Sequence, residues 1–254
     1  MKFVEKPTVE LIKSNASDED VAYAAWVSNF GDAARSRDTE RIAGLINFLY
    51  RERHMSPFEH GSFTFFIDTP IFVAREFMRH RTWSYNETSG RYKELEGRFY
   101  MAPDDRPLVQ RGKVGEYRFD PGSEDMNRVK RWATGRAYKL SWRMYKVMLK
   151  VGIAKEVARN VLPVGTMTQF YATANPRNVM QFLLLRNDPN ALKEIRDVAV
   201  EIEAAFAEAM PLTYAAFKAY DWRDDKAELE RLQALVTELT TELAWKTDKE
   251  AVTL

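Results

Sequence analysis

With 254 residues the chain can bury one substantial core, and its 38 Lys and Arg against 37 Asp and Glu exclude a protein that holds nucleic acid mainly by neutralising phosphates. The absence of cysteine excludes disulfides, thiolate nucleophiles and cysteine zinc sites, and three histidines (His54, His60, His80) leave little for a metal centre. No apolar run approaches the roughly 20 residues that span a bilayer, and Met1-Lys2-Phe3-Val4-Glu5-Lys6 lacks the apolar core of a signal peptide, so a soluble cytoplasmic protein with neither membrane nor nucleic acid as partner is expected.

Ser17, with Asp20 three residues later, caps a first predicted helix carrying Val21, Ala24, Ala25 and Trp26. Asp38 precedes a second, with Ile42, Leu45, Ile46 and Leu49 on one face. The Phe- and Thr-rich run from Gly61 to Asp68 reads as a strand that stops at Thr69-Pro70, where Thr as cap and Pro in the first turn start another helix.

The stretch that follows, Arg79-His80-Arg81-Thr82-Trp83-Ser84-Tyr85-Asn86-Glu87-Thr88-Ser89-Gly90-Arg91, is the densest in chemistry. Arginine offers a planar fork of donors that matches phosphate oxygens, and hydroxyls and glycine allow close approach, so the stretch reads as a nucleotide clamp. The competing reading is a solvated basic loop. Phe72, Val73, Phe77 and Met78 lead into it, and Trp83, Tyr85 and Tyr92 are threaded through it, with both tyrosines expected as core or wall. Charges rising from a partly buried segment need anionic partners, which favours the clamp.

Downstream, Arg98 to Met101 is a second predicted strand, Ser123 to Lys150 a long helix stopped by Gly152, and Ile153 to Val161 a short helix ending near Arg159 and closed by Pro163. Thr166 to Thr173 alternates as a third strand. Asn175-Pro176 starts a helix over Arg177 to Arg186, and Asp188-Pro189 repeats the signal for Leu192, Ile195, Val198, Ala199 and Ile202, a pattern that Pro211 interrupts. Asp224 to Trp245 sets Leu229, Leu232, Val236, Leu239 and Leu243 at spacings of three and four, an amphipathic helix. The expected organisation is an α+β domain over residues 1–222, helices flanking a mainly antiparallel sheet, followed by a C-terminal amphipathic helix and tail over 223–254.

Arg79-His80-Arg81, seven further residues, then Ser89-Gly90-Arg91 resembles the signature of the flavin-dependent thymidylate synthases. His54-Met55-Ser56-Pro57-Phe58-Glu59-His60, Glu156-Val157-Ala158-Arg159, Asn175-Pro176-Arg177 and Leu185-Arg186 extend the resemblance in the family's order, from about Val21 to Tyr220. It implies the thymidylate synthase-complementing fold, a homotetramer with sites shared between subunits, and reductive methylation of dUMP to dTMP. The methylene group would come from 5,10-methylenetetrahydrofolate and the hydride from FAD reduced by NADPH. The missing thiol fits, because the classical thymidylate synthases attack the uracil with a cysteine and this family does not.

By the same resemblance Glu76, Arg79, Glu87, Ser89, Gly90, Arg91, Arg159 and Arg186 would bind dUMP. His54, Ser56, Arg79, His80, Arg81, Thr82, Glu87, Asn175, Arg177 and Gln181 would bind FAD, with no metal involved. Arg186 would be the catalytic residue, stabilising charge on the uracil, although an ordinary helix-end arginine has the same sequence appearance. Three positions depart from the family: Glu76 stands where glutamine is common, Gln181 where asparagine is, and Pro176 where alanine is. Glu76 must either pair with an arginine or stand back from the phosphate. Isolated histidines more often finish a local network, and His60 is read that way. Two other readings stay open, a flavin enzyme making a different C5-modified pyrimidine and an RNA- or nucleotide-binding module.

Overall fold

The computed structural model describes residues 1–36, 41–113 and 117–221. Its strands are β1 (Lys2–Val4), β2 (Thr8–Ser14), β3 (Phe63–Pro70), β4 (Ser84–Glu87), β5 (Arg98–Tyr100), β6 (Val109–Arg111), β7 (Arg118–Asp120) and β8 (Met167–Ala174). Its helices are α1 (Asp18–Phe30), α2 (Ile42–Arg51), α3 (Ile71–Phe77), α4 (Glu124–Lys150), α5 (Lys155–Ala158), α6 (Pro176–Arg186), α7 (Lys193–Ala209) and α8 (Pro211–Asp221). The expected α+β class holds.

The main sheet is antiparallel throughout, in the order β2-β3-β8-β4. Period-two alternation gives it one buried face, where Phe63, Phe65 and Ile67 of β3 and Phe170, Ala172 and Ala174 of β8 pack with apolar residues of α1, α2, α3, α6, α7 and α8. Each buried Phe contributes roughly 1.5–3 kcal/mol. On the opposite face the Thr64 and Thr173 hydroxyls bond at 2.9 Å and Phe66 meets Tyr171 edge-on. β1 runs parallel to β5, and β6 pairs with β7, outside the main sheet.

Side-chain caps start three of the helices, α1, α4 and α6. The side-chain oxygens of Ser17, Ser123 and Asn175 accept from the backbone N–H groups of Asp20, Met126 and Asn178 at 3.1, 3.2 and 2.9 Å. Gly152 takes φ +88° just beyond α4, a left-handed conformation that suits glycine. Two expected starts are corrected. β3 continues through Thr69 to Pro70, whose fixed φ of −67° serves both the end of the strand and the cap position of α3, so the strand does not stop at Asp68. Asp188 instead closes a local turn by accepting from Asn190 N–H at 2.8 Å, and α7 begins only at Lys193, with Leu192 at its cap.

Buried carboxylates lock distant segments. Asp18, the first residue of α1, accepts from Leu212 N–H (2.8 Å), Thr213 N–H (2.9 Å) and the Thr213 hydroxyl (2.6 Å), fastening the start of α8. Glu194 on α7 accepts from the Tyr100 hydroxyl at 2.8 Å and Arg106 Nε at 3.0 Å. Burial alone would raise its pKa, but these bonds outweigh that and hold the carboxyl below its ordinary range. The expected helix at 224–245 and the Asp38 cap lie outside the described residues.

Candidate active site

The clamp residues are not one loop. Tyr85 sends its hydroxyl back to the Phe77 and His80 carbonyls at 3.1 and 2.8 Å, pinning the turn after α3, and Ser84–Glu87 form β4 on the edge of the sheet against β8. Trp83 is buried against Phe77 and Phe182, and burial raises the Tyr85 pKa well above its usual value. Tyr85 is thus the expected wall. Tyr92 is not: it is 79 % exposed, because the chain has left the sheet edge before reaching it.

Three groups of site residues emerge. In the first, α3 and α6 end side by side, and Arg186 donates through Nη1 to Glu76 Oε1 at 2.6 Å and through Nε to His80 Nε2 at 2.9 Å. Accepting at Nε2 places the His80 proton on Nδ1. Burial first, and the Arg186 charge second, push the imidazole down to about 4, so it is neutral near pH 7. Glu76 therefore pairs with an arginine, the first of the two possibilities open to a carboxylate there.

The second group joins the end of the clamp to the α5 segment. Arg91 Nε meets Glu156 Oε2 at 2.9 Å, and a Cβ on buried Gly90 would stand 3.1 Å from Arg159 Cδ and 3.0 Å from Leu95 Cδ1. Ser89 Oγ accepts from Arg91 N–H at 3.2 Å. Glu87 is held from β8 by the Thr168 hydroxyl at 2.5 Å.

The third group lies at the N-terminal end of α6, where Arg177 pairs with Glu59 of the 54–60 segment, near the α6 cap Asn175. His54, Ser56 and Gln181 are exposed, and the His54 ring stands edge-on to Phe48 at 5.9 Å. Arg177 and Arg186 are nine residues apart on one helix, about 13 Å at ~1.5 Å per residue, so α6 spans the distance between the first and third groups.

Arg79, Arg81, Thr82 and Arg159 are exposed, and none of the three arginines makes an ion pair among the described residues. Their guanidiniums are available to phosphate oxygens, the donor chemistry that a nucleotide and a dinucleotide cofactor require. No hydrogen bond or ion pair joins the three groups to one another among the described residues. Glu59 and Thr168, which hold Arg177 and Glu87, escaped sequence reading as partners because only the 54–60 segment's approach to α6 and the pairing of β4 with β8 reveal them.

The family model of the thymidylate synthase complementing protein matches residues 10–212. A flavin-dependent thymidylate synthase of Streptomyces avermitilis is 49% identical over 221 residues, 83% of this chain and 90% of that protein. Another, of Streptomyces coelicolor, is 48% identical over 223 residues, 84% and 91%. A crystal structure of a UMP/dUMP methylase, PolB from Streptomyces cacaoi, bound with 5-Br dUMP, superposes with a TM-score of 0.82 at 44% identity, covering 87% of this chain and 98% of that one. The same methylase bound with 5-Br UMP gives 0.80 at 43%.

Proposed function

The chain belongs to the thymidylate synthase complementing family, the flavin-dependent thymidylate synthases, and we propose that it methylates dUMP to dTMP with 5,10-methylenetetrahydrofolate as carbon donor. FAD, when bound and reduced by NADPH, supplies the hydride. The observation that carries the reading is the convergence of Ser89-Gly90-Arg91 on the α5 segment, since it sets a hydroxyl, a side-chain-free backbone and Arg91, held by Glu156, beside the side chain of Arg159, donor chemistry that suits a phosphate. Charge-assisted bonds of roughly 1.5–3 kcal/mol each supply much of a micromolar affinity.

Arg79, Glu76, Glu87 and Arg186 complete the dUMP site in this reading. Arg186 faces the uracil and stabilises negative charge as C5 becomes nucleophilic, an electrostatic role suited to a guanidinium already fixed on two sides. Arg79, His80, Arg81, Thr82 and Glu87 from the clamp hold FAD together with His54, Ser56, Asn175, Arg177 and Gln181, the exposed arginines meeting its diphosphate and the imidazole and amides its rings. The enzyme acts in the cytoplasm as a homotetramer whose subunits share sites. That no hydrogen bond or ion pair joins the three groups among the described residues supports that assembly, in which a partner subunit completes each site.

A second reading has its own support. The solved relatives at 43–44% identity are described as a UMP/dUMP methylase, so UMP is the alternative substrate. One experiment separates the readings: the visible spectrum of the purified protein, followed by mass analysis of nucleotides after adding NADPH, methylenetetrahydrofolate and either dUMP or UMP. A yellow protein that converts dUMP and leaves UMP untouched is expected. Conversion of UMP alone would replace dUMP as the substrate, and a protein that cannot be reconstituted with FAD would overturn both readings.

A further inference from the structure

The long helix α4 carries an apolar stripe that its own domain leaves uncovered. One side packs inward through buried Tyr145 and Gly135 and through Tyr138 and Trp142, both of which meet Phe99. On the opposite side Ala133, Ala137, Leu140, Met144, Val147 and Val151 succeed one another at steps of four and three, and all are exposed, Leu140 by 60 % and Val151 by 69 %. That spacing is the seam of a two-helix coiled coil. Arg136, Arg143 and Lys150 flank the seam at seven-residue intervals, exposed and without an ion pair among the described residues, whereas Lys130, Arg131 and Lys146 elsewhere on the helix have acidic partners in their own subunit.

We infer that this stripe is the docking site of the chain's own C-terminal segment, residues 224–245, laid antiparallel along α4. The segment lies beyond both the family match, which ends at 212, and α8, which ends at Asp221. Leu229, Leu232, Val236, Leu239 and Leu243 repeat at three and four, the complementary seam. Its charge is complementary too: six Asp and Glu against two Lys and Arg, facing a helix with eight Lys and Arg against two Asp and Glu. In an antiparallel pair the flanking positions that precede each seam face one another, and aligning Leu140 with Val236 sets Glu228 against Lys150 and Glu242 against Arg136. A second copy of α4 would instead bring arginine against arginine along the same edge, which disfavours it as the occupant.

The cysteine-free sequence makes the test direct. Full-length L140C/V236C, L140C/L229C and L140C/L243C are oxidised mildly and their disulfides mapped by mass spectrometry. The expected result is a disulfide joining positions 140 and 236, several-fold more abundant than in the other two pairs and reduced several-fold by adding E228K/E242K. Equal, low oxidation in all three pairs would overturn the inference. So would a disulfide between the 140 positions of two copies, which would make α4 itself the occupant.

Discussion

Glu76 and Arg186 meet at 2.6 Å where the last turn of α3 faces the last turn of α6, and His80 accepts from the same guanidinium at 2.9 Å. One partner is a carboxylate and the other a neutral ring, so the guanidinium plane is fixed while the charge is only partly neutralised. The outward N–H groups stay available to a third acceptor.

Arg186→Ala is therefore expected to keep the fold and FAD content while lowering kcat/KM for dUMP by about 10²–10³, the usual size of a lost charge-stabilising donor. Single-turnover formation of dTMP measures it directly. Arg186→Lys should recover little, because one ammonium cannot meet Glu76 and His80 in the same plane. Normal turnover in the alanine variant would remove Arg186 from the catalytic role.

The state of His80 should appear in the pH dependence of stability. Its folded pKa of about 4 lies below the unfolded value near 6.5, so between those limits the unfolded chain binds the proton that the folded chain refuses. The contribution is complete above about 6.5 and is lost progressively as pH falls toward 4. Thermal midpoints measured across that window should fall less steeply for His80→Asn than for the parent; parallel curves would show that His80 titrates normally.

Gly90→Ala tests the proposed phosphate end of the site. The added methyl would stand about 3 Å from Leu95 and Arg159, and both side chains can yield only by moving. KM for dUMP should rise about tenfold, equivalent to ~1.4 kcal/mol, with kcat nearly unchanged. A fall in kcat at constant KM would place the disturbance elsewhere.

Asp18→Ala leaves two backbone N–H groups and the Thr213 hydroxyl without their acceptor. The expected cost is about 3 kcal/mol or more, a midpoint lower by roughly 6–12 °C at about 2–4 °C per kcal/mol. Asp18→Asn, which keeps an acceptor oxygen, should cost less. Calorimetry of the three proteins decides.

Local chemistry made most elements legible. Side-chain caps at Ser17, Ser123 and Asn175, the left-handed Gly152 and the alternation in β8 involve neighbours in sequence, and sequence carries that information. The strand within the clamp was hidden because Ser84-Tyr85-Asn86-Glu87 pairs with residues 170–173, and nothing in four polar and aromatic residues announces a partner more than eighty positions away. β1 and β2 were missed for the same reason: β2 is largely exposed and owes its form to β3. The candidate site was proposed from residue types in order, while the pairings Glu76 with Arg186, Glu87 with Thr168 and Arg177 with Glu59 required the fold.

The bond from Asp18 to Leu212 and Thr213 joins residues 194 and 195 positions apart. During synthesis at roughly 5–20 residues per second, the carboxylate leaves the ribosome some 10–40 s before the donors it will meet. Until then α1 has no carboxylate-bound α8 to settle against, and the apolar faces that the two helices share in the core stay open to chaperones. The carboxylate of α1 is therefore satisfied only once α8 has been made, and a truncation that removes α8 would uncover the face of α1 that packs with it.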